Sequence, residues 1–147
     1  MILYHFCCER DMRGIRNKGI IKGMIAVQAR INNHGKPGKF QTYAMAGWQW
    51  LTLDGEKEHQ SWNTHVLLDY DRTQYRWTVE IPERDETQIY DKARLEALYP
   101  WVNILFDGWD GNENWRVYRG PIPKKYLKKL EKWNNTTHEW EEVPYGR

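Results

Sequence analysis

Histidine is the residue type best suited to acid–base or ligand-binding chemistry near neutral pH, and the 147-residue chain has five histidines. They are scattered at positions 5, 34, 59, 65 and 138, so only the fold could bring them together. His5 is the most informative, because it lies near the end of the alternating segment Ile2 to Phe6, just before helical spacing begins. α/β and α+β folds commonly bind ligands at such strand ends. A lone histidine is more often structural, so both interpretations stay open.

Several common catalytic and metal-binding patterns do not occur in the sequence. It contains no Gly-rich phosphate loop, no Ser nucleophile elbow and no His-Glu-x-x-His pair. The acidic segment Asp107 to Asn114 lacks the spacing of a twelve-residue calcium loop. Cys7 and Cys8 are adjacent, which makes a mutual disulfide strained and offers no zinc-site spacing. We therefore expect no metal site.

The composition is typical of one globular domain with an unusual content of aromatic residues. Hydrophobic residues make up 40% and charged residues 29%, and the formal net charge of +2 is too small to imply a dedicated nucleic-acid binder. There are nine Trp and nine Tyr but three Phe. Indole rings stack on bases and sugars, but they also fill cores when the N–H finds an acceptor. Because the chain opens without a leader and has no long apolar run, we expect a cytoplasmic protein with no membrane partner.

The elements that would position these residues follow from the spacing of apolar residues. Alternation predicts strands at Met1 to Phe6, Gly47 to Asp54, Thr73 to Ile81 and Trp115 to Arg119. Helical spacing predicts helices at Glu9 to Lys18, ended by Gly19, at Asp85 to Tyr99, and at Lys124 to Trp133. Trp101 to Phe106 fits a helix or a short strand, Ile20 to Val27 a short extended segment, and Ala29 to Phe40 an exposed loop.

Three short motifs resemble the ADP-ribosyltransferase-like fold. Leu3-Tyr4-His5-Phe6, with the helix and Gly19-Ile20 behind it, is similar to the first strand and helix of DarT-type DNA ADP-ribosyltransferases and RNA 2′-phosphotransferases. Trp48 to Asp54 is similar in placement to the strand that carries the middle motif, and Trp115 to Tyr126 to the late strand and its proline turn. The sequence also resembles small phage and prophage proteins. The resemblance implies a single α+β domain, residues 1–147, with a bent, mostly antiparallel sheet flanked by helices.

The resemblance also implies roles for individual residues. The first-strand histidine of such transferases hydrogen-bonds the nicotinamide ribose of NAD, and His5 matches it. The middle motif supplies an aromatic ring against the nicotinamide and a hydroxyl group, which implies these roles for Trp50 and Thr52.

The late strand of the family supplies an acid that stabilises the cationic transition state as nicotinamide leaves. In this chain Trp115 occupies that position. Glu113, two residues earlier and expected on the same strand face, is the candidate acid, and Glu80 is the next one.

The implied function is a phage-type ADP-ribosyltransferase that uses NAD as a substrate and modifies a host protein or nucleic acid in the host cytoplasm. One alternative is a non-catalytic phage protein that inhibits a host defence complex through an aromatic-rich surface. Another is a nucleic-acid-binding module that stacks bases beside the lysine-rich last segment. Trp115 favours the non-catalytic alternative, whereas His5 and the Trp50 to Thr52 motif favour the enzyme.

Overall fold

The first strand of the chain is the central strand of the sheet. The computed structural model describes residues 1–33, 36–60, 62, 71–106 and 109–146, with side chains in those ranges except at 27–33, 36–43 and 104. The strands are β1 (Ile2–Cys7), β2 (Met24–Asn33), β3 (Lys36–Ala46), β4 (Trp48–Thr52), β5 (Tyr75–Glu80), β6 (Ile89–Tyr90), β7 (Trp115–Arg119), β8 (Leu127–Asn134) and β9 (Glu139–Glu142). Seven of them form one sheet in the order β6-β7-β4-β1-β5-β8-β9, and β2 pairs with β3.

Helices are few and short in the described part of the chain. The α-helices are α1 (Glu9–Lys18), α2 (Lys92–Leu98) and α3 (Asn103–Phe106). Single 3₁₀ turns lie at Lys57–His59, Pro100–Val102, Asn112–Asn114 and Lys124–Tyr126, and a longer 3₁₀ segment at Glu83–Gln88.

Helix α1 was predicted with its correct bounds because its signals are local. Glu9 and Asp11 lie in its first turn and Arg16 and Lys18 in its last, which complements the helix dipole. Gly19 ends it at a φ of 84°, a left-handed value that favours glycine, and donates its N–H to Ile15 O at 2.8 Å.

The sheet splits beside β1. All six residues of β1 pair with β5, from Ile2 opposite Glu80 to Cys7 opposite Tyr75. On its other side, the register joins β1 to β4 only at Tyr4 opposite Thr52. The C-terminal half of β1 and the N-terminal half of β4 therefore separate, although both strands belong to the same antiparallel sheet.

The two faces of the sheet carry separate apolar clusters. On β4 and β7, Trp48 and Val117 belong to one cluster, whereas Leu51 and Tyr118 belong to the other, as the alternation of a strand requires. The first cluster packs under α2, the 3₁₀ turn Pro100–Val102 and α3, which supply Leu95, Val102 and Phe106. The second packs under α1, which supplies Met12 and Ile15.

The predicted loop at Ala29 to Phe40 is wrong, because β2 and β3 run through it as an antiparallel hairpin. Asn32, Asn33, Pro37 and Gly38 favour turns in sequence. A two-stranded ribbon tolerates them because each of its strands has an unpaired edge. The extended segment expected at Ile20 to Val27 starts later than predicted, since β2 begins at Met24.

The single helix predicted over Asp85 to Tyr99 is also wrong. The chain forms a 3₁₀ segment, then pairs Ile89 and Tyr90 with β7, and only then enters α2. Asp91 begins that helix, because its side chain accepts a hydrogen bond from Arg94 N at 2.8 Å. Trp101 to Phe106 is helical, one of the two predicted forms, since the 3₁₀ turn there continues into α3.

The last predicted helix, Lys124 to Trp133, is a 3₁₀ turn followed by strand β8. Residues of β8 pair along β5, with Leu130 opposite Trp77 and Glu131 opposite Arg76. This segment forms a strand in spite of its helical spacing, because pairing with the free edge of β5 satisfies the backbone hydrogen bonds of both strands.

The described residues form one small α+β domain with a mostly antiparallel sheet, as predicted. Within those residues, every helix is too short or too polar to cross a membrane.

Arg76 and Glu131 form a largely buried ion pair between β5 and β8, and its loss is expected to destabilise the fold. Arg76 Nη2 lies 2.6 Å from Glu131 Oε1, and Arg76 Nη1 donates to Gly55 O at 2.7 Å. Glu131→Gln keeps the shape but leaves the guanidinium without its charge partner, so we expect the free energy of unfolding to fall by about 3 kcal/mol. Urea unfolding followed by circular dichroism measures it.

The matched control is Glu9→Gln, which removes an exposed pair with Arg13 at 3.2 Å in α1. We expect a loss below about 0.5 kcal/mol for this variant. Equal losses for the two variants would contradict a structural role of the buried pair.

Candidate functional site

A cavity of about 450 Å³ lies at the split between β1 and β4. Tyr4 to Cys7 form one wall and Trp50 to Thr52 the other. α1, the base of β2, α3 and the start of β7 close it. Its size is within the range of small-molecule sites, and its position follows from the separation of the two strands.

Aromatic rings form much of the cavity wall. Of the residues that the structure describes, six aromatic ones line it: Tyr4, Phe6, Trp50, Trp62, Trp109 and Trp115. The rings of Trp50 and Trp115 meet edge to face, with centroids 5.8 Å apart and an interplanar angle of 83°. Phe106 packs against both, at 5.8 Å from Trp50 and 5.6 Å from Trp115. Because these contacts hold the rings in place, the rings offer a rigid surface for an aromatic or sugar ring.

His5 lines this cavity in one defined tautomer. Its Nδ1 lies 2.7 Å from Trp50 O, and because a carbonyl oxygen only accepts, Nδ1 carries the proton. Burial lowers the pKa of His5 and outweighs the opposing effects of that hydrogen bond and of the nearby Asp11 charge. The ring is therefore neutral at neutral pH, and Nε2 is left as a hydrogen-bond acceptor.

Trp50 is held at both its backbone and its ring. Its carbonyl accepts from His5, and its Nε1 donates to Met24 O at 3.0 Å, which ties the indole to the first residue of β2. Thr52 is nearly fully buried opposite Trp115, and its Oγ1 accepts from Asp54 N at 3.1 Å. The structure thus brings His5, Trp50 and Thr52 together around one cavity.

The structure does not bring the predicted acids to this cavity. Glu113 is exposed and lies in the 3₁₀ turn before β7, not on the strand, because Gly111 starts a turn at a φ of 80°. Glu80 is exposed at the end of β5 and lines a different groove, together with Arg84 and Lys125. Trp115 occupies the cavity wall at the start of β7.

The lining residues that were not predicted from the sequence as site residues include Asp11, Gln60, Trp62 and Arg72. Asp11 could have been found, because a helix that follows a strand directly places its first turn beside the strand end. No pattern in the sequence predicts the positions of Gln60, Trp62 and Arg72, which depend on how the connection between β4 and β5 folds.

That loop is braced by side-chain hydrogen bonds. Gln60 Nε2 donates to Asp54 O and Glu56 O at 3.0 and 2.9 Å, and its Oε1 accepts from Trp62 Nε1 at 2.9 Å. His59 Nδ1 lies 2.6 Å from Asp54 Oδ2. The segment that places Gln60 and Trp62 at the cavity is therefore held by hydrogen bonds to the residues that follow β4 in the chain.

The described residues offer no metal site, and comparisons with known proteins found no relative. Among the described residues, no group of three or more His, Cys, Asp and Glu is placed to hold a metal ion. His34, His65 and Asp107 lie outside the described residues. No protein-family model, curated protein or solved structure matches this chain.

The brace between His59 and Asp54 is expected to make stability depend on pH. The hydrogen bond and the charge of Asp54 raise the pKa of His59 above its ordinary value. Because the pKa of His59 is higher in the folded than in the unfolded protein, the charged histidine stabilises the fold fully at pH values below its unfolded-state pKa. This stabilisation is lost as the pH rises through its folded-state pKa. Wild type should therefore be more stable than His59→Asn at about pH 5 and lose that advantage by about pH 9.

Thermal unfolding of both proteins across this pH range measures the difference. A constant difference at all pH values would show that the effect does not come from the charge of His59.

Proposed function

We propose that the protein is an NAD-dependent ADP-ribosyltransferase of the phage type, which takes NAD as its substrate in the cavity between β1 and β4 and modifies a host macromolecule. The observation that carries the proposal is that His5, Trp50 and Thr52, which sequence resemblance assigns to NAD binding, line one cavity.

The order of the strands supports the proposal. The three motifs of the resemblance lie on β1, β4 and β7, which are far apart in sequence but neighbours in the sheet, in the order β7-β4-β1. Thr52 of β4 faces Tyr4 of β1 on one side and Trp115 of β7 on the other. A ligand at the split therefore meets all three motifs.

The chemistry of the lining residues suits the nicotinamide ribose half of NAD. His5 Nε2 can accept a hydrogen bond from a ribose hydroxyl, because the Trp50 carbonyl holds the proton on Nδ1. The fixed Trp50 ring offers a stacking surface for the nicotinamide ring. Arg72 also lines the cavity and carries the positive charge that a diphosphate requires.

Trp115 favours a second candidate function, a non-catalytic protein that binds a host partner. A carboxylate beside a developing ribose cation is often worth several kcal/mol of transition-state stabilisation. Because β7 places an indole at this point of the wall, the late strand supplies no such carboxylate, which supports a non-catalytic role that binds a host partner.

NAD binding is the first test of the proposal. We expect the wild-type protein to bind NAD in isothermal titration calorimetry at up to about millimolar concentration. His5→Ala should weaken binding at least about tenfold, because it removes the Nε2 acceptor. The variant leaves the Trp50 carbonyl without this partner, at a cost of about 1–3 kcal/mol, and circular dichroism checks that it stays folded.

The matched control is His138→Asn, which replaces an exposed histidine that does not line the cavity. His138 has a φ of 57°, a value that Asn tolerates, so this variant should bind NAD like the wild type. Failure of the wild type to bind NAD at millimolar concentration would refute the proposed function.

A further inference from the structure

We propose that Asp11 supplies the carboxylate that stabilises the ribose cation in this cavity, so that the acid comes from α1 instead of the late strand β7. The inference rests on the proposed function and names a residue that the resemblance does not assign.

Asp11 is the one carboxylate among the described residues that line the cavity. It lies in the first turn of α1, two residues after the start of the helix and shortly after His5 in the chain. The strand end and the first helical turn therefore present a histidine and a carboxylate to the same space. Glu113 and Glu80, the other candidate acids, do not line it.

The charge of Asp11 acts on groups inside the cavity. It raises the pKa of His5 against the larger lowering effect of burial, and it adds to the burial that raises the pKa of Cys7. Both groups line the cavity, so the field of the carboxylate acts within it.

The carboxylate of Asp11 is also accessible to a ligand. Among the described residues, its ion-pair partner is Arg10, with Nε 3.8 Å from Oδ1, and both side chains are mostly exposed. An exposed pair at this distance holds its members weakly. A ligand in the cavity can therefore compete for the carboxylate.

The reaction that this residue would assist is cleavage of the bond between ribose C1′ and the nicotinamide nitrogen. The bonding electron pair leaves with the nitrogen, which neutralises the pyridinium charge, and a positive charge develops on the ribose. An anion beside the ribose lowers the energy of that state more than that of bound NAD, whose ribose is uncharged. Attack by water on C1′ and loss of its proton to solvent complete the reaction, giving ADP-ribose and nicotinamide.

The test compares Asp11→Asn with Glu113→Gln, which also replaces a carboxylate by its amide, but outside the cavity. Nicotinamide release from NAD is measured by chromatography and NAD binding by calorimetry, so that no host acceptor is needed. We expect Asp11→Asn to lower the release rate at least about 100-fold while NAD affinity changes less than about threefold. Glu113→Gln should match the wild type, and Asp11→Glu should retain part of the rate because it keeps a carboxylate.

Each other outcome has a distinct meaning. Release by Asp11→Asn at the wild-type rate would overturn the inference, and so would a loss of NAD affinity that accounts for the whole loss of rate. Wild-type protein that binds NAD but releases no nicotinamide would also overturn it, while leaving NAD binding in place. Wild-type protein that binds no NAD would refute the proposed function itself.

Discussion

The hydrogen bond from His5 Nδ1 to the Trp50 carbonyl makes the split in the sheet possible. Strands that separate leave backbone groups without ladder partners, and a buried carbonyl without a partner is costly. Where β1 leaves β4, the histidine side chain satisfies the carbonyl that the neighbouring backbone no longer reaches. One contact thus spans the gap and fixes the tautomer of the ring that faces the cavity.

The rigidity of the cavity follows from how Trp50 is held. Its carbonyl is bound to His5, its indole N–H donates to Met24 O, and its ring packs against Trp115 and Phe106. A ring fixed by four contacts loses little further freedom when a ligand stacks on it, which favours binding. The same contacts explain why β7 supports the wall with an indole, whose packing a shorter carboxylate could not replace.

Local sequence patterns correctly predicted the strands and the helix that carry the proposed site. The elements that were predicted wrongly are those whose structure depends on pairing with distant strands. β1, α1, β4 and β7 follow from alternation, helical spacing and a C-terminal glycine, all visible within ten residues of chain. The spacing of Lys124 to Trp133 fits a helix equally well, and only the unpaired edge of β5, some fifty residues away, makes it a strand. Resemblance grouped His5 with Trp50 and Thr52, whereas Asp11 and Gln60 join them through the packing of a helix and a loop that no motif marks.

The central position of β1 has a consequence for how the protein is made. β1 is synthesised before both of its partner strands, because Ile2 pairs with Glu80 and Tyr4 with Thr52. Contacts of such large sequence separation slow folding, since the entropy of closing the chain is lost before the pairing can offset it. The edge of β1 that pairs with β4 stays unpaired until residue 52 has been made, and the edge that pairs with β5 until residue 80. The charged helix α1 follows β1 directly, so it can cover the strand before β4 and β5 have been made.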